Sequence, residues 1–134
     1  MNTTDKLFQL ALQAQQKAYA PYSKFSVGAA ILSTKGNFYS GCNVENISYP
    51  CGTCAEQGAI SAMVTNGDQE IAEIMIIADT EKLISPCGAC RQRIKEFATP
   101  QTIITVCNLQ GHQQQYTITQ LLPDGFAAKE LQHD

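Results

Sequence analysis

The stretch CGTCAEQGAI at residues 51–60 decides the fold of this chain, together with the later run SPCGACRQ at residues 85–92. Thiolates from Cys54, Cys87 and Cys90 would occupy three corners of a tetrahedron and leave the fourth corner for water. An open position of this kind distinguishes a catalytic zinc site from a closed structural one. The two runs therefore predict one zinc ion per chain, bound by these three cysteines.

Glu56 supplies the carboxylate that a hydrolytic metal site needs. Within a regular helix a two-residue step turns a side chain by about 200°, so Glu56 would point away from Cys54 there. We therefore place Cys54 at the entrance of a helix, where the free N–H groups of the first turn also favour a thiolate. Cys87 and Cys90 are three residues apart and share a face on the first turn of a second helix. The prediction is that two helix starts converge on one ion.

Hydrophobic periodicity places these helices in a longer order of elements. It predicts an amphipathic helix over 3–19, a hairpin over 25–32 and 38–40, the first zinc helix over 55–64, a buried strand over 71–78, the second zinc helix after Cys87, a buried strand over 103–107 and a short strand over 116–118. This order predicts an α/β fold with a mixed sheet that is parallel around the zinc helices. Gly28 allows either close approach of another group to the first strand or tight helix packing.

Length and charge limit the class of protein. The 134 residues predict a single domain, 1–134. The chain carries 9 basic and 12 acidic residues, so it lacks the excess of positive charge that binding to a nucleic-acid backbone requires. Since no run of apolar residues is long enough to span a bilayer and no leader is evident, we expect a cytoplasmic protein without a membrane partner. In a reducing compartment the six cysteines are expected to be metal ligands and core residues; the core residues are Cys42 and Cys107.

Two rival interpretations of the cysteines start from Cys51. Together with Cys54, Cys87 and Cys90 it would make a closed four-thiolate site with no position for water. The gap between the two cysteine pairs is longer than such modules use, and Glu56 would have no task in them. A thioredoxin-like redox pair is the other alternative, and the duplicated pair beside Glu56 speaks against it.

Five ordered motifs extend the pattern beyond the zinc ligands: FSVGAA at 25–30, CNVEN at 42–46, CAE at 54–56, PCGACRQ at 86–92 and LLPDGF at 121–126. On these motifs the chain resembles the small, homotetrameric, three-cysteine type of zinc-dependent cytidine deaminase. The resemblance implies a three-layer α/β/α sandwich with a five-stranded mixed sheet. It also implies hydrolytic deamination of cytidine and 2'-deoxycytidine in pyrimidine salvage, with Glu56 as general base and acid.

The resemblance also assigns residues to the substrate. From the alternating pattern alone, Asn43 and Glu45 share a face and are either a solvated strand end or ligands of hydroxyl groups. In the family the matching residues bind the ribose, and the matching phenylalanine reaches the pyrimidine of a neighbouring chain. The implied substrate-binding residues are Phe25, Asn43, Glu45, Tyr49, Ala55 and Phe126. The backbone at Ala55 and the carbonyl of Ser85 are further partners for the ring and the leaving amine.

Two positions depart from the family pattern. Gln57 stands where an arginine usually follows Cys-Ala-Glu, and Ile47 stands where alanine is frequent. Three thiolates on a dication leave a net charge of about −1, and Gln57 brings no positive charge against it. Two outcomes are open: reduced activity, or compensation by Arg91 alone. A different aminopyrimidine nucleoside as substrate, or a zinc module without turnover, remain the alternative functions.

Overall fold

The computed structural model describes residues 2–131 of the chain. Within that range four α-helices and five β-strands follow one another: α1 (Thr3–Gln16), β1 (Val27–Ser33), β2 (Phe38–Cys42), α2 (Ala55–Thr65), β3 (Ile71–Ala78), α3 (Gly88–Phe97), β4 (Ala98–Asn108), β5 (Gln113–Tyr116) and α4 (Ile118–Leu121). Short 3₁₀ turns cover Tyr49–Cys51 and Ala128–Leu131. The predicted hairpin, zinc helices and two buried strands are all present, and β3 has the predicted bounds.

The strands form a mixed sheet in the order β2-β1-β3-β4-β5. Strands β3 and β4 run parallel and are joined by α3, as expected for a strand-helix-strand connection. The other three neighbouring pairs are antiparallel. The parallel part is smaller than the sequence predicts because the hairpin inserts β1 between β2 and β3, so that α2 joins strands that are not neighbours.

Apolar residues on the two faces of the sheet form two separate cores, which makes the molecule a three-layer α/β/α sandwich. On one face, α1 packs Leu7 and Ala11 against β1 and β3. On the other face, α2, α3 and α4 pack against the same strands. Successive residues of β3 alternate between the cores, with Met75 facing α1 and Ile76 facing α2 and α3. Burial on both faces explains why the apolar residues of β3 are almost unbroken.

Gly28 and Gly41 bring helices on opposite faces very close to the hairpin. A Cβ atom on Gly28 would lie 2.1 Å from the Ala11 carbonyl oxygen of α1, and one on Gly41 would lie 2.3 Å from the Ala59 nitrogen of α2. No side chain fits at either position. Of the two alternatives for Gly28, tight helix packing is therefore the one that the structure adopts.

Helix α1 ends earlier than its sequence pattern predicts. Asn2 caps it by accepting a hydrogen bond from the Asp5 N–H at 2.8 Å, and the last helical residue is Gln16 rather than Tyr19. The backbone of Tyr19 instead donates to the Asn43 carbonyl at 3.0 Å and accepts from the Glu45 N–H at 2.8 Å. Residues 43–46 therefore do not extend β2 as a regular strand. Their backbone pairs instead with the loop that contains Tyr19, through an isolated β-bridge.

The short strand predicted over 116–118 is wrong in its position. Strand β5 ends at Tyr116, and Ile118 begins α4. Thr117 forms a capping box with Gln120: its hydroxyl accepts from the Gln120 N–H at 3.3 Å, and its own N–H donates to the Gln120 side chain at 2.8 Å. These two bonds turn an apolar, β-prone segment into one helical turn that buries Ile118 and Leu121.

The two cysteines assigned to the core differ in burial. Cys107 on β4 is 4% exposed, and burial raises the pKa of its thiol to about 12. Cys42, at the end of β2, is half-buried. Between residues 2 and 131, the structure contains no helix with the length and hydropathy required to cross a membrane.

Candidate active site

Three thiols meet where the chain enters α2 and α3. Cys54 is the N-cap of α2, Cys87 is the N-cap of α3, and Cys90 lies on the first turn of α3. The three Sγ atoms all lie within 4.8 Å of one another. Neither N-cap thiol makes a capping hydrogen bond, so both sulfurs are available to a ligand. The predicted convergence of two helix starts is confirmed.

The cluster fits zinc in donor chemistry and in size. Soft thiol sulfurs select zinc over magnesium or calcium. Zn–S bonds of about 2.3 Å place tetrahedral sulfurs about 3.8 Å apart, and the separations here need only a small closure. Among the described residues Cys51 does not join the cluster, and its thiol donates to the Ser48 hydroxyl at 3.5 Å. The thiols that lie close enough to hold one ion are therefore those of Cys54, Cys87 and Cys90, and the geometry does not favour the closed four-thiolate interpretation.

Glu56 lies beside these sulfurs as the second residue of α2. It is only 5% exposed, and it lines the same cleft as the three cysteines. Burial raises the pKa of its carboxyl, as burial also raises the pKa of the Cys54 and Cys90 thiols. A buried carboxyl that faces a cleft and holds its proton more tightly than usual is suited to accept and return protons.

A cleft of about 610 Å³ opens in front of the three thiols and Glu56. This volume is in the range that binds a small molecule. The cleft brings together five of the six residues that the sequence assigns to the substrate: Phe25, Asn43, Glu45, Tyr49 and Ala55. Ser85 and Pro86 form part of its wall. Phe126 does not line the cleft; its side chain is 57% exposed, and its carbonyl accepts from Gln92.

Asn43 and Glu45 also hold a loop of the cleft wall in place. Asn43 accepts from the Val27 N–H at 2.9 Å and donates to the Phe25 carbonyl at 2.8 Å. Glu45 accepts from the backbone N–H and the hydroxyl of Ser23 and from the Tyr22 N–H at 3.0 Å. These bonds, with that of the Ser23 hydroxyl first, lower the pKa of Glu45. No local pattern in the sequence identifies Ser23, because its partner lies 22 residues away.

The three polar side chains that follow the metal motifs have different partners. Arg91 donates to the Pro86 carbonyl at 2.8 Å, the Ser85 hydroxyl at 2.7 Å and the Leu121 carbonyl at 2.8 Å. Gln57 donates to the Ser61 hydroxyl at 2.9 Å. Arg93, which lies outside the sequence motifs, donates to the Cys90 sulfur at 3.5 Å. Its spacing of three residues from Cys90 on a predicted helix is the signal that could have identified it.

The sheet, the two cysteine-capped helices and the buried glutamate define a zinc metalloprotein with a three-layer α/β/α architecture. A family model described as the cytidine and deoxycytidylate deaminase zinc-binding region matches residues 1–106. The chain belongs to this family of cytidine and deoxycytidylate deaminases.

Named relatives agree with this assignment. A cytidine deaminase of Sporosarcina psychrophila is 41% identical over 129 residues, which cover 96% of this chain and 95% of that protein. One of Halalkalibacterium halodurans is 41% identical over 125 residues, covering 93% of this chain and 95% of that protein. The crystal structure of a cytidine deaminase from Burkholderia pseudomallei superposes with a TM-score of 0.88 at 40% identity, covering 94% of this chain and all 100% of that chain.

Proposed function

We propose that this chain catalyses the zinc-dependent hydrolysis of cytidine and 2'-deoxycytidine to uridine and 2'-deoxyuridine with release of ammonia. One observation carries the proposal: three thiols that suit zinc and a buried glutamate face one cleft large enough for a nucleoside. The membership of the chain in the cytidine and deoxycytidylate deaminase family supports the same reaction.

When bound, zinc supplies the Lewis acidity that makes water a nucleophile near neutral pH. The Glu56 carboxylate accepts a proton from the attacking water and donates it to ring N3, while the water oxygen bonds to C4. Glu56 then moves the remaining hydroxyl proton to the 4-amino nitrogen. The C4–N bond breaks, ammonia leaves, and C4 becomes the carbonyl carbon of the product. One buried carboxyl thus serves as base and acid in turn.

The cleft residues support a nucleoside as the substrate. Asn43 and Glu45 have amide and carboxylate groups that suit ribose hydroxyls, and the loop they hold carries Phe25 to the cleft. The backbone of Ala55 and the carbonyl of Ser85 are placed in this proposal against the ring and the leaving amine. The ring of Tyr49 lies 6.2 Å from that of Tyr22 at the mouth of the cleft.

Ultraviolet absorbance after mixing the purified protein with cytidine tests the reaction. We expect the absorbance of cytidine to be replaced by that of uridine, with one ammonia released per uridine. No change at substrate concentrations well above those that saturate a typical enzyme would contradict the proposal, and turnover of another aminopyrimidine nucleoside alone would redirect it.

Metal analysis of alanine variants tests the ligand set. We expect Cys54→Ala to lose zinc, because it removes one of three sulfurs. Cys51→Ala is the matched control, since this exposed cysteine lies three residues away and outside the cluster. Equal loss of zinc in both variants would contradict the three-cysteine site.

We also propose that the protein is a cytoplasmic homotetramer whose active sites are shared between chains. Large hydrophobic side chains are exposed, among them Ile47 at 74%, Tyr49 at 74% and Phe126 at 57%, and Tyr49 lines the cleft. In this proposal a neighbouring chain covers Tyr49, and Phe126 reaches the pyrimidine in that neighbour's site. Thiol ligands that must stay reduced suit a reducing compartment.

Sedimentation and activity measured over the same dilution series test the assembly. We expect both to fall together, and Phe126→Ala to raise KM while zinc content stays unchanged. A monomer with full activity, or a Phe126→Ala variant with native KM, would contradict the shared site.

A further inference from the structure

The zinc site presents an electrostatic problem. Three thiolates with Zn²⁺ carry a net charge of about −1. The sulfur of Cys90 belongs to a residue that is 0% exposed, and the neighbouring Glu56 is 5% exposed. Negative charge on the buried Cys90 sulfur is costly unless a cation or hydrogen-bond donors face it, whereas Cys54 is half-buried and Cys87 is exposed.

Arg93 is the cation that touches a ligand sulfur. Its Nη1 atom donates to the Cys90 Sγ at 3.5 Å, from the next turn of α3. The guanidinium of Arg91 is occupied by three oxygen atoms, and Gln57 on α2 is neutral and donates to Ser61. Within residues 2–131 no other arginine or lysine side chain donates a hydrogen bond to a thiol of this cluster.

No neighbouring carboxylate in the described residues forms an ion pair with Arg93 that would draw it away from the Cys90 sulfur. Glu96 lies three residues further along α3 and would be a natural partner, but the described residues show no ion pair between them; the ion pair that they do show joins Lys35 and Asp68. Arg93 and Gln57 line one shallow groove between α2 and α3. Position 57 therefore borders the same groove as Arg93.

We propose that Arg93 is a positioning residue that compensates the negative charge of the zinc-thiolate unit through the sulfur of Cys90. The inference rests on the proposed zinc site and adds to it a residue that the metal motifs do not contain. By drawing electron density from the sulfur, Arg93 leaves the zinc a stronger Lewis acid. The fixed positive charge also stabilises the assembled, negatively charged site by Coulomb attraction. With Arg93 in place, the neutral Gln57 is tolerated beside the catalytic carboxylate.

Zinc retention and cobalt spectra test the proposal without relying on turnover. Competition with a chromophoric chelator gives the apparent zinc affinity of wild type, Arg93→Gln, Arg93→Lys and the control Lys95→Gln, which removes a charge from the same helix. Interactions of this kind typically change metal affinity or activity by about 10- to 100-fold. We expect a loss of this size for Arg93→Gln, a smaller loss for Arg93→Lys, and a change of less than about 2-fold for Lys95→Gln.

The Co²⁺-substituted proteins give an independent readout. The sulfur-to-cobalt charge-transfer band should shift in Arg93→Gln and stay in place in Lys95→Gln, since the second variant leaves the sulfur contact intact. Adding Gln57→Arg to Arg93→Gln should recover part of the zinc affinity, because position 57 borders the same groove. A purely structural role for Arg93 would not be restored from a different helix.

Three results would overturn the proposal: Arg93→Gln with wild-type zinc affinity and an unshifted band, Lys95→Gln with an equal loss, or Arg93→Gln with no recovery on adding Gln57→Arg. If Arg93→Gln does not fold, Arg93→Lys decides, since lysine keeps the positive charge and loses the directed guanidinium contact. Wild-type zinc affinity and an unshifted cobalt band in Arg93→Lys would count against the sulfur contact. Failure of the proposed reaction is distinct, because wild type would then bind zinc without converting cytidine.

Discussion

Two buried carboxyl groups lie at opposite ends of α2 and have opposite properties. Glu56, in its first turn, is 5% exposed, and Asp68, just beyond its end, is 4% exposed. Burial raises the pKa of Glu56. Hydrogen bonds from Asn37, Ser33 and Tyr39 lower the pKa of Asp68. Two carboxyl groups with nearly the same exposure therefore have pKa values shifted in opposite directions. The number of hydrogen-bond donors around each carboxyl decides whether its protonated or its ionised form is favoured.

The surroundings explain the difference. Asp68 accepts from the Ser33 hydroxyl at 2.7 Å, from the Tyr39 hydroxyl at 2.8 Å and from the Asn37 amide at 3.0 Å. These bonds join the segment after α2 to the hairpin of β1 and β2. Glu56 instead faces the cleft beside the thiols. A satisfied acid stabilises the fold, and an acid facing a cleft is available for proton transfer.

The largest expected effect is on catalysis at Glu56. Glu56→Gln keeps the shape and removes proton transfer, so turnover should fall by at least about 10³-fold, because each transfer contributes about 10²–10⁴ and Glu56 serves several. Zinc content should remain near one per chain, and Tm should stay equal or rise, since a buried carboxyl becomes a neutral amide. Steady-state kinetics, metal analysis and calorimetry measure these quantities. Near-native turnover with full zinc content would remove Glu56 from the mechanism.

The next effect is on stability at Asp68. Asp68→Asn removes the negative charge from the group whose Oδ2 accepts all three side-chain bonds, and it places an amide NH₂ group where Oδ1 now faces the Lys35 ammonium at 3.9 Å. We expect Tm to fall by about 5–10 °C, while turnover per bound zinc changes by less than about 2-fold. Calorimetry and kinetics of the same preparations give both values. A loss of turnover per zinc comparable to that of Glu56→Gln would show that the two ends of α2 are not functionally separate.

A smaller effect is expected in the pH dependence of stability. Because the folded-state pKa of Asp68 is lowered, its contribution is fully present above the unfolded pKa of about 3.9 and is lost as pH falls through the folded value. The difference in Tm between wild type and Asp68→Asn should be constant from about pH 5 to 7 and shrink below about pH 4. Release of zinc in acid affects both proteins and cancels in this difference. A difference that grows in acid would contradict the lowered pKa.

The smallest effect is expected at Tyr39. Tyr39→Phe removes one of the three side-chain donors to Asp68 and keeps the aromatic ring. Tm should fall by about 2–4 °C, less than in Asp68→Asn, because Ser33 and Asn37 still satisfy the carboxylate. Thermal unfolding of the two variants side by side measures the ratio. A fall as large as that of Asp68→Asn would mean that the tyrosine hydroxyl alone determines the strength of the cluster.

Local sequence patterns predict the framework of the site well. The motifs around Cys54, Cys87 and Cys90 predict two helix starts, and the structure has both of them. The unbroken apolar run of β3 likewise predicts a strand buried on both faces. These features are determined by the sequence alone because caps, turns and periodicity act over a few neighbouring residues.

Contacts between distant segments decide what local patterns cannot. Tyr19 leaves the helical pattern because its backbone pairs with Asn43 and Glu45, and Thr117 starts a helical turn where a strand is predicted. Arg91 and Arg93 are indistinguishable by type, yet α3 directs one towards loop oxygens and the other towards Cys90. The directions of side chains, and the hydrogen bonds between residues far apart in sequence, are fixed only when the layers pack. The tertiary structure alone therefore distinguishes Asp68, which stabilises the fold, from Glu56, which faces the cleft.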